Sequence, residues 1–285
     1  MSLEPIVNSL ENFLRREDYR HHVYDKGASV EVIIDEVKPD LVLFAGAAEG
    51  PHWVSPERIK AIKDVRPIIN IICDGGCPKA QIGIAKYQEA ESFTFHVNID
   101  GMTTWPHTDK DLTTLCPIDL RYYPHYPAEK IIHLGFYGGA GHGERRAVLE
   151  HFGETIAVGT RNETYGTYAN YANFMRACRY VLNHAANGSN TGMHCKARVL
   201  EAALGNACLI EQAGSPIAQY FEPGVDYFEY TTPSDIDRIL AETTEETRQK
   251  TADNLTRKVL MNHSSILFWG KVFNRLREVT RAPEK

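Results

Sequence analysis

"KIIHLGFYGGAGHGERRAVLEHFG" (130–153) runs an apolar strand into a glycine-rich turn, then into a helix closed by Gly153. The strand shows no polar alternation, the mark of a strand covered on both faces. The helix stops on the residue type that best tolerates a left-handed cap. One such unit fixes little, but its repetition along the chain decides the fold class.

Before it, "LVLFAG" (41–46) and "RPIINIICDGG" (66–76) read as buried parallel strands, followed by "SFTFHVNIDG" (92–101) and a shorter "DLTTLCPID" (111–119). Helical stretches separate them: "ASVEVIIDEVKPD" (28–40), "SPERIKAIKDV" (55–65) with Ser55 as N-cap and Pro56 at the first helical position, and "PKAQIGIAKYQEA" (78–90). "MSLEPIVNSLENFLRRE" (1–17) also has a helical rhythm. Beyond residue 153 come "TIAVGT" and "CRYVLNHA" as strands with "YANYANFMRA" as a helix between them. Next are a helix in "MHCKARVLEAALG", the strand "ACLIEQ", two helices over 233–260 and a long amphipathic helix in "SSILFWGKVFNRLREV". Alternating strands and helices predict α/β layers with parallel sheets. "PIDLRYYPHYPAEK" (117–130), rich in proline and tyrosine and without periodicity, reads as the connection between two such domains. A cleft between two βα domains is a common place for a ligand.

The 285 residues suffice for two medium domains, and a composition of 43% hydrophobic and 24% charged residues is that of a folded chain. A net charge of −6 argues against nucleic acid as a partner. No apolar run reaches the roughly 20 residues of a transmembrane helix, and the acidic N-terminal stretch does not read as a secretion signal. A cytoplasmic protein with reduced cysteines is expected. Cys73 and Cys77 form the only close pair, without the second pair or His pair of a zinc site, so no metal is expected.

The glycine turn "FYGGAGHGERR" (136–146) leads into a helix N-terminus, where backbone N–H groups and the helix dipole favour an anion. Gly138 and Gly143 have P-loop spacing, yet Glu144 and Arg145 stand where Lys and Ser/Thr belong, so phosphoryl transfer is disfavoured. Gly139, Gly141 and Gly143 miss the third glycine of a dinucleotide fingerprint, and Arg161 rather than an acid follows the next strand. An NADP-dependent oxidoreductase, with Arg161 on a 2′-phosphate, therefore remains an alternative. Arg145 and Arg146 open the helix where cations oppose the dipole, which suggests an anion between them, or one side chain directed to solvent.

A second polar cluster lies at 194–204. Read as a helix, the stretch puts His194, Arg198 and Glu201 at i, i+4 and i+7 on one face, after a polar loop (183–192) at a strand end. Arg198 and the helix N-terminus suit a diphosphate, and Glu201 a ribose diol. A solvated Arg–Glu pair is the alternative.

The segment "KARVLEAALGNACLIEQAGSPIAQYFEPGVDYFEYTTPSDIDRIL" (196–240) resembles the donor-binding segment of GT-B glycosyltransferases, most of all the compact group that includes spore-maturation glycosyltransferase-like proteins. The shared elements are Arg198, Glu201 and Ala202 on a helix, then "ACLIE", then "FEPGVDYFEY". "KIIHLGFYGGAGHGERRAVLEHF" and "PIDLRYYP" are similar to the family's first strand–turn–helix and its interdomain stretch. The resemblance implies two Rossmann-like domains facing across a cleft: 1–124 on the acceptor side, 125–262 for the nucleotide-sugar donor, and a helix in 263–285 returning to the first. It implies metal-independent transfer of a sugar from a UDP- or GDP-sugar to a glycan or small-molecule hydroxyl, with no cofactor beyond that substrate. Carried over, Glu201 would hold the ribose, Gly138 and Gly139 would admit the donor, and Arg198, Arg145 and Lys196 would contact phosphate, with His194 beside them. Retaining members place a second Glu eight residues before the ribose-binding one; here that position is Met193. A non-catalytic nucleotide-sugar-binding module is the further alternative.

An inverting transfer needs a base. Asp74 and Asp100 each end a strand beside glycine, and His142 lies in the glycine turn. Ordinary Asp-Gly turn chemistry accounts equally for the two aspartates.

Overall fold

The structure is a computed structural model that describes residues 6, 9–10, 30–46, 55–73, 78–102, 105–124, 126–139, 141, 143–159, 167–186 and 192–281. It divides into two compact units, Met1–Pro117 with Ser265–Lys285, and Ile118–Ser264.

The first unit is a four-stranded parallel sheet in the order β1 (Val42–Gly46), β2 (Ile68–Ile72), β3 (Phe95–Asn98) and β4 (Leu112–Thr113). Helices α1 (Val30–Val37), α2 (Pro56–Lys63) and α3 (Pro78–Glu89) alternate with the strands. β2, "IINII", is buried at every position, as an interior parallel strand must be. Its one polar residue, Asn70, is satisfied across the ladder by the His96 ring, Nδ2 to Nδ1 3.3 Å. Ser55 caps α2 by accepting the Arg58 N–H, and Pro56 holds the first helical position. Phe44, Ile59, Ile62, Ile68 and Phe93 form the core on one side of the sheet. The last helix, here α9 (Ser265–Thr280), belongs to this unit, where the buried Trp269 donates its indole N–H to Ser9 Oγ at 3.0 Å. Asp74, Cys77, His142 and Arg161 lie outside the described residues.

The second unit is a five-stranded parallel sheet ordered β6–β5–β7–β8–β9. Its elements in chain order are β5 (Ile132–Tyr137), α4 (Gly143–Phe152), β6 (Ala157–Gly159), α5 (Tyr168–Ala177), β7 (Cys178–Asn183), α6 (Ala197–Leu204), β8 (Cys208–Gln212), β9 (Phe228–Tyr230), α7 (Pro233–Glu242) and α8 (Glu245–Asn262). Leu134, Phe136, Leu149, Phe152, Leu182 and Ile210 are central to its core. The proline- and tyrosine-rich stretch is ordered by its own polar groups: the buried Asp119 carboxylate accepts from the backbone and guanidinium of Arg121, and Tyr122 packs edge-on against Tyr168 with ring centroids 4.9 Å apart.

One expectation is corrected. The helix read over 194–204 begins only at Ala197, with Lys196 extended at its N-cap (φ −69°, ψ 144°). His194 lies in the segment before it, where its backbone N–H donates to Ala185 O at 3.2 Å and Met193 bridges to Ala186. The helical spacing of His194 and Arg198 is thus coincidental; a short antiparallel bridge claims this backbone first. Among the described residues no helix is long and apolar enough to cross a membrane.

Candidate functional site

In the second sheet the connection from β5 leads to β6 on one side, and the chain then crosses back to β7 on the other. Such a reversal opens a crevice beyond the carboxyl ends of the two central strands, the usual ligand position in open parallel sheets. Gly138 and Gly139 follow β5 there, and Asn183 ends β7 with His184 directly after it.

Gly138 has φ +147°, and a Cβ at this position would stand 2.5 Å from Arg198 Nη2. Glycine is therefore required twice, by the backbone angle and by the guanidinium laid against it. Arg198 comes from the first turn of α6, lies 4.7 Å from the centre of the Phe136 ring, and donates from Nη1 to Asn183 Oδ1 at 2.5 Å. Its Nε is buried with no hydrogen-bond partner among the described residues. Arg145, from the first turn of α4, reaches the same ring at 5.9 Å and donates to the carbonyls of Gly139 and Ala186, both at 2.9 Å. Burial and the neighbouring Arg198 lower the Arg145 pKa. Two guanidiniums share one phenyl ring, and among the described residues neither forms an ion pair. Arg146, by contrast, is exposed and pairs with Glu150 along its own helix.

Two titratable neighbours of the arginines are held uncharged. Buried His184 sets Nδ1 3.0 Å from the Tyr230 hydroxyl, while its Nε2 has no partner among the described residues. Burial, with Arg145, Lys196 and Arg198 nearby, pushes its pKa down to about 4, so the ring is neutral at pH 7. Glu211, fully buried at the end of β8, is pushed up to about 8 by burial, and its Oε2 accepts from Asn183 Nδ2 at 2.7 Å. One acid and one base are thus held neutral beside the two arginines.

Glu201 does not point to solvent. It is 4% exposed and accepts from the hydroxyls of Tyr168 (2.9 Å) and Tyr171, both on α5. Burial raises its pKa, and the two hydroxyls oppose that rise. The Tyr171 ring stacks on Tyr137, 4.3 Å between centroids, immediately before Gly138. A solvated Arg198–Glu201 pair is ruled out, since each side chain turns to different partners.

Of the residues singled out from sequence, the structure brings together Gly138, Gly139, Arg145, Arg198 and, through its field on His184, Lys196. Glu201 joins them by way of Tyr171 and Tyr137. His194 is buried, away from the helical face expected for it. Asp100, in the first unit, is 2% exposed and precedes Gly101 (φ +66°), with its backbone N–H donating to Asn98 Oδ1 at 2.7 Å, a local turn arrangement. Sequence reasoning missed Asn183, His184, Glu211 and the two tyrosines of α5. A signal for two of them existed: Asn183 and Glu211 are polar residues at the ends of apolar strands, and the ladder pairs them in register.

Residues 133–266 match a family described as glycosyl transferase-like. No curated protein sequence matches the chain. Among solved structures, the UDP-glucose complex of Anabaena Alr3699/HepE aligns at TM-score 0.62 with 11% identity, covering 95% of this chain and 89% of that one. Sucrose-phosphate synthase from Thermosynechococcus elongatus aligns at 0.58 with 10% identity, covering 88% and 77%. A glycosyltransferase from Rickettsia africae aligns at 0.56 with 12% identity, covering 95% and 88%. The chain has the GT-B fold, with two Rossmann-like units, and what its second unit matches is the glycosyl transferase-like family model.

Proposed function

We propose that this GT-B chain transfers a sugar from a UDP- or GDP-sugar to a hydroxyl of a glycan or small molecule, with the donor held at the carboxyl end of the second sheet. The observation that carries the reading is the pair Arg145 and Arg198, held on one ring beside a glycine and free of ion pairs among the described residues. The match of residues 133–266 and the HepE structure, which contains UDP-glucose, support the same ligand class.

Breaking the bond between the sugar and the diphosphate leaves negative charge on the departing nucleotide. Fixed donors aimed at that charge stabilise the transition state more than the ground state, because they need no reorganisation as it develops. Arg145 and Arg198, with Lys196 and the N–H groups opening α4, are those donors in this account, and they take the place of a metal ion. Neutral His184 and Glu211 leave the positive charge of the arginines to the phosphates. Glu201 holds the ribose diol by exchanging one of its tyrosine hydrogen bonds for a sugar hydroxyl. Asp74, Asp100 and His142 are the candidates for accepting the acceptor hydroxyl's proton, a role an inverting reaction requires. With Met193 in place of the second Glu of retaining enzymes, inversion is the simpler outcome.

The test is release of UDP or GDP from a panel of UDP- and GDP-sugars, with and without EDTA, in the presence of varied acceptors. Turnover of one donor that survives EDTA and disappears in Arg198→Ala supports the reading. Nucleotide-sugar binding without any turnover would make the chain a binding module, and absence of both would refute the reading.

A further inference from the structure

We propose that Asn183 and Glu211 are positioning residues that set the direction of the Arg198 guanidinium. The inference rests on the proposed function, in which Arg198 takes the donor's diphosphate.

The argument begins with the sheet. β7 and β8 run parallel in a register that places Asn183 beside Glu211 at the last positions before the crevice. A carboxamide has two chemically different ends. Asn183 Nδ2 donates to Glu211 Oε2 at 2.7 Å, so Oδ1 is turned the other way, where it accepts from Arg198 Nη1 at 2.5 Å. The opposite amide orientation would set an NH2 group against a guanidinium, which has no acceptor. Glu211 thus anchors the amide through Nδ2, and the anchored Oδ1 sets the direction of the arginine. All the remaining freedom of Arg198 is taken by the Phe136 ring beneath it and the Gly138 backbone beside it.

The same geometry explains why an acid can stand here at all. A charged carboxylate one amide away from Arg198 would compete with phosphate for that cation, whereas an uncharged one orients without neutralising. Burial holds Glu211 in its uncharged form up to about pH 8. The other titratable groups whose fields reach it are Arg198 on α6, and Tyr227 and Tyr230 at β9. Burial lifts both phenols well above their ordinary range, so neither ionises between pH 7 and 9.5.

The experiment is calorimetric titration of UDP and GDP into the full-length chain from pH 7 to 8.5, where the terminal phosphate is largely ionised and the ring N–H of the base stays protonated. For whichever nucleotide the wild type binds, affinity is expected to weaken about threefold across this range as Glu211 ionises. Glu211→Gln, which keeps an acceptor for Asn183 but cannot ionise, should bind within about threefold of wild type at pH 7 and lose the pH dependence. Asn183→Ala and Glu211→Leu should bind at least tenfold more weakly at pH 7, with circular dichroism confirming the fold. A purely structural role would lower unfolding midpoints but leave the pH profile of Glu211→Gln like that of wild type. The inference alone is overturned if Asn183→Ala binds like wild type, or if Glu211→Gln keeps the wild-type pH slope; should Glu211→Leu not fold, these two variants decide. Failure of the wild type to bind either nucleotide overturns the proposed function, and this inference with it.

Discussion

Replacing Gly138 by alanine tests the arrangement at its tightest point. The substitution acts in two ways. Holding a non-glycine residue at φ +147° costs about 1–3 kcal/mol of backbone strain. The new Cβ also falls 2.5 Å from Arg198 Nη2, so the guanidinium must retreat by roughly 1 Å to reach ordinary contact, and its bond to Asn183 Oδ1 breaks. A hydrogen bond to a charged group contributes about 1.5–3 kcal/mol. Together these give a loss of about 2.5–6 kcal/mol. For a folding unit of this size, each kcal/mol moves the midpoint by roughly 2–4 °C, so differential scanning calorimetry should show a fall of at least about 5 °C. Displacing Arg198 should also weaken UDP or GDP binding about tenfold, the equivalent of roughly 1.4 kcal/mol. Gly141→Ala is the control from the same turn, because a Cβ there meets nothing within 4 Å. If Gly138→Ala matched Gly141→Ala in both midpoint and affinity, the packing of Arg198 on this backbone would be wrong.

Three further outcomes are expected. Gly135→Ala places a Cβ onto Cys178 Sγ and 3.0 Å from Phe174 Cζ, overpacking that should cost about 1–3 kcal/mol and be relieved when Cys178→Ala is added; thermal midpoints of the single and double variants decide. Tyr168→Phe and Tyr171→Phe each remove a donor from buried Glu201, for about 1–3 kcal/mol apiece, and chemical denaturation should show a larger loss at pH 8 than at pH 5, where more of the carboxyl is protonated. In the second unit, Glu211 keeps, up to about pH 8, a proton that the unfolded chain releases near its ordinary 4.5, so its contribution falls as pH rises through that window. His184 has the opposite sign, its contribution falling as pH drops from 6.5 to about 4, and the two offset each other between 4.5 and 6.5. Glu201, whose pKa burial also raises, adds to the decline, so stability should fall gently there and more steeply above 6.5, Glu211 accounting for about 2 kcal/mol by pH 8. Denaturant titrations of Glu211→Gln should lack that share of the decline.

The layers of the fold were legible because interior parallel strands are mostly apolar runs without alternation: "VLFAG", "IINII" and "CLIEQ" announce themselves. β4 is only two residues long, and β9 carries too short a pattern to be read from periodicity alone. The start of α6 was misread because His194, Arg198 and Glu201 happen to share a helical spacing, and nothing local reveals the bridge from Met193 to Ala186. In the site, the cations were visible because arginine at a helix start is electrostatically odd and needs a reason. Glu211 and Asn183 were not, since each looks like the polar end of a strand until the register sets one against the other. Tyr168 and Tyr171 were read only as part of a helix; that they cap a buried carboxylate depends on where α5 packs.

Hydrogen–deuterium exchange with saturating UDP or GDP locates the ligand without assuming any chemistry. The account predicts slowed exchange in peptides spanning 136–146 and 192–201, lost when Arg198 is replaced by alanine. Protection confined to the first unit, or none in these two segments despite demonstrated binding, would contradict the placement of the donor at the end of the second sheet.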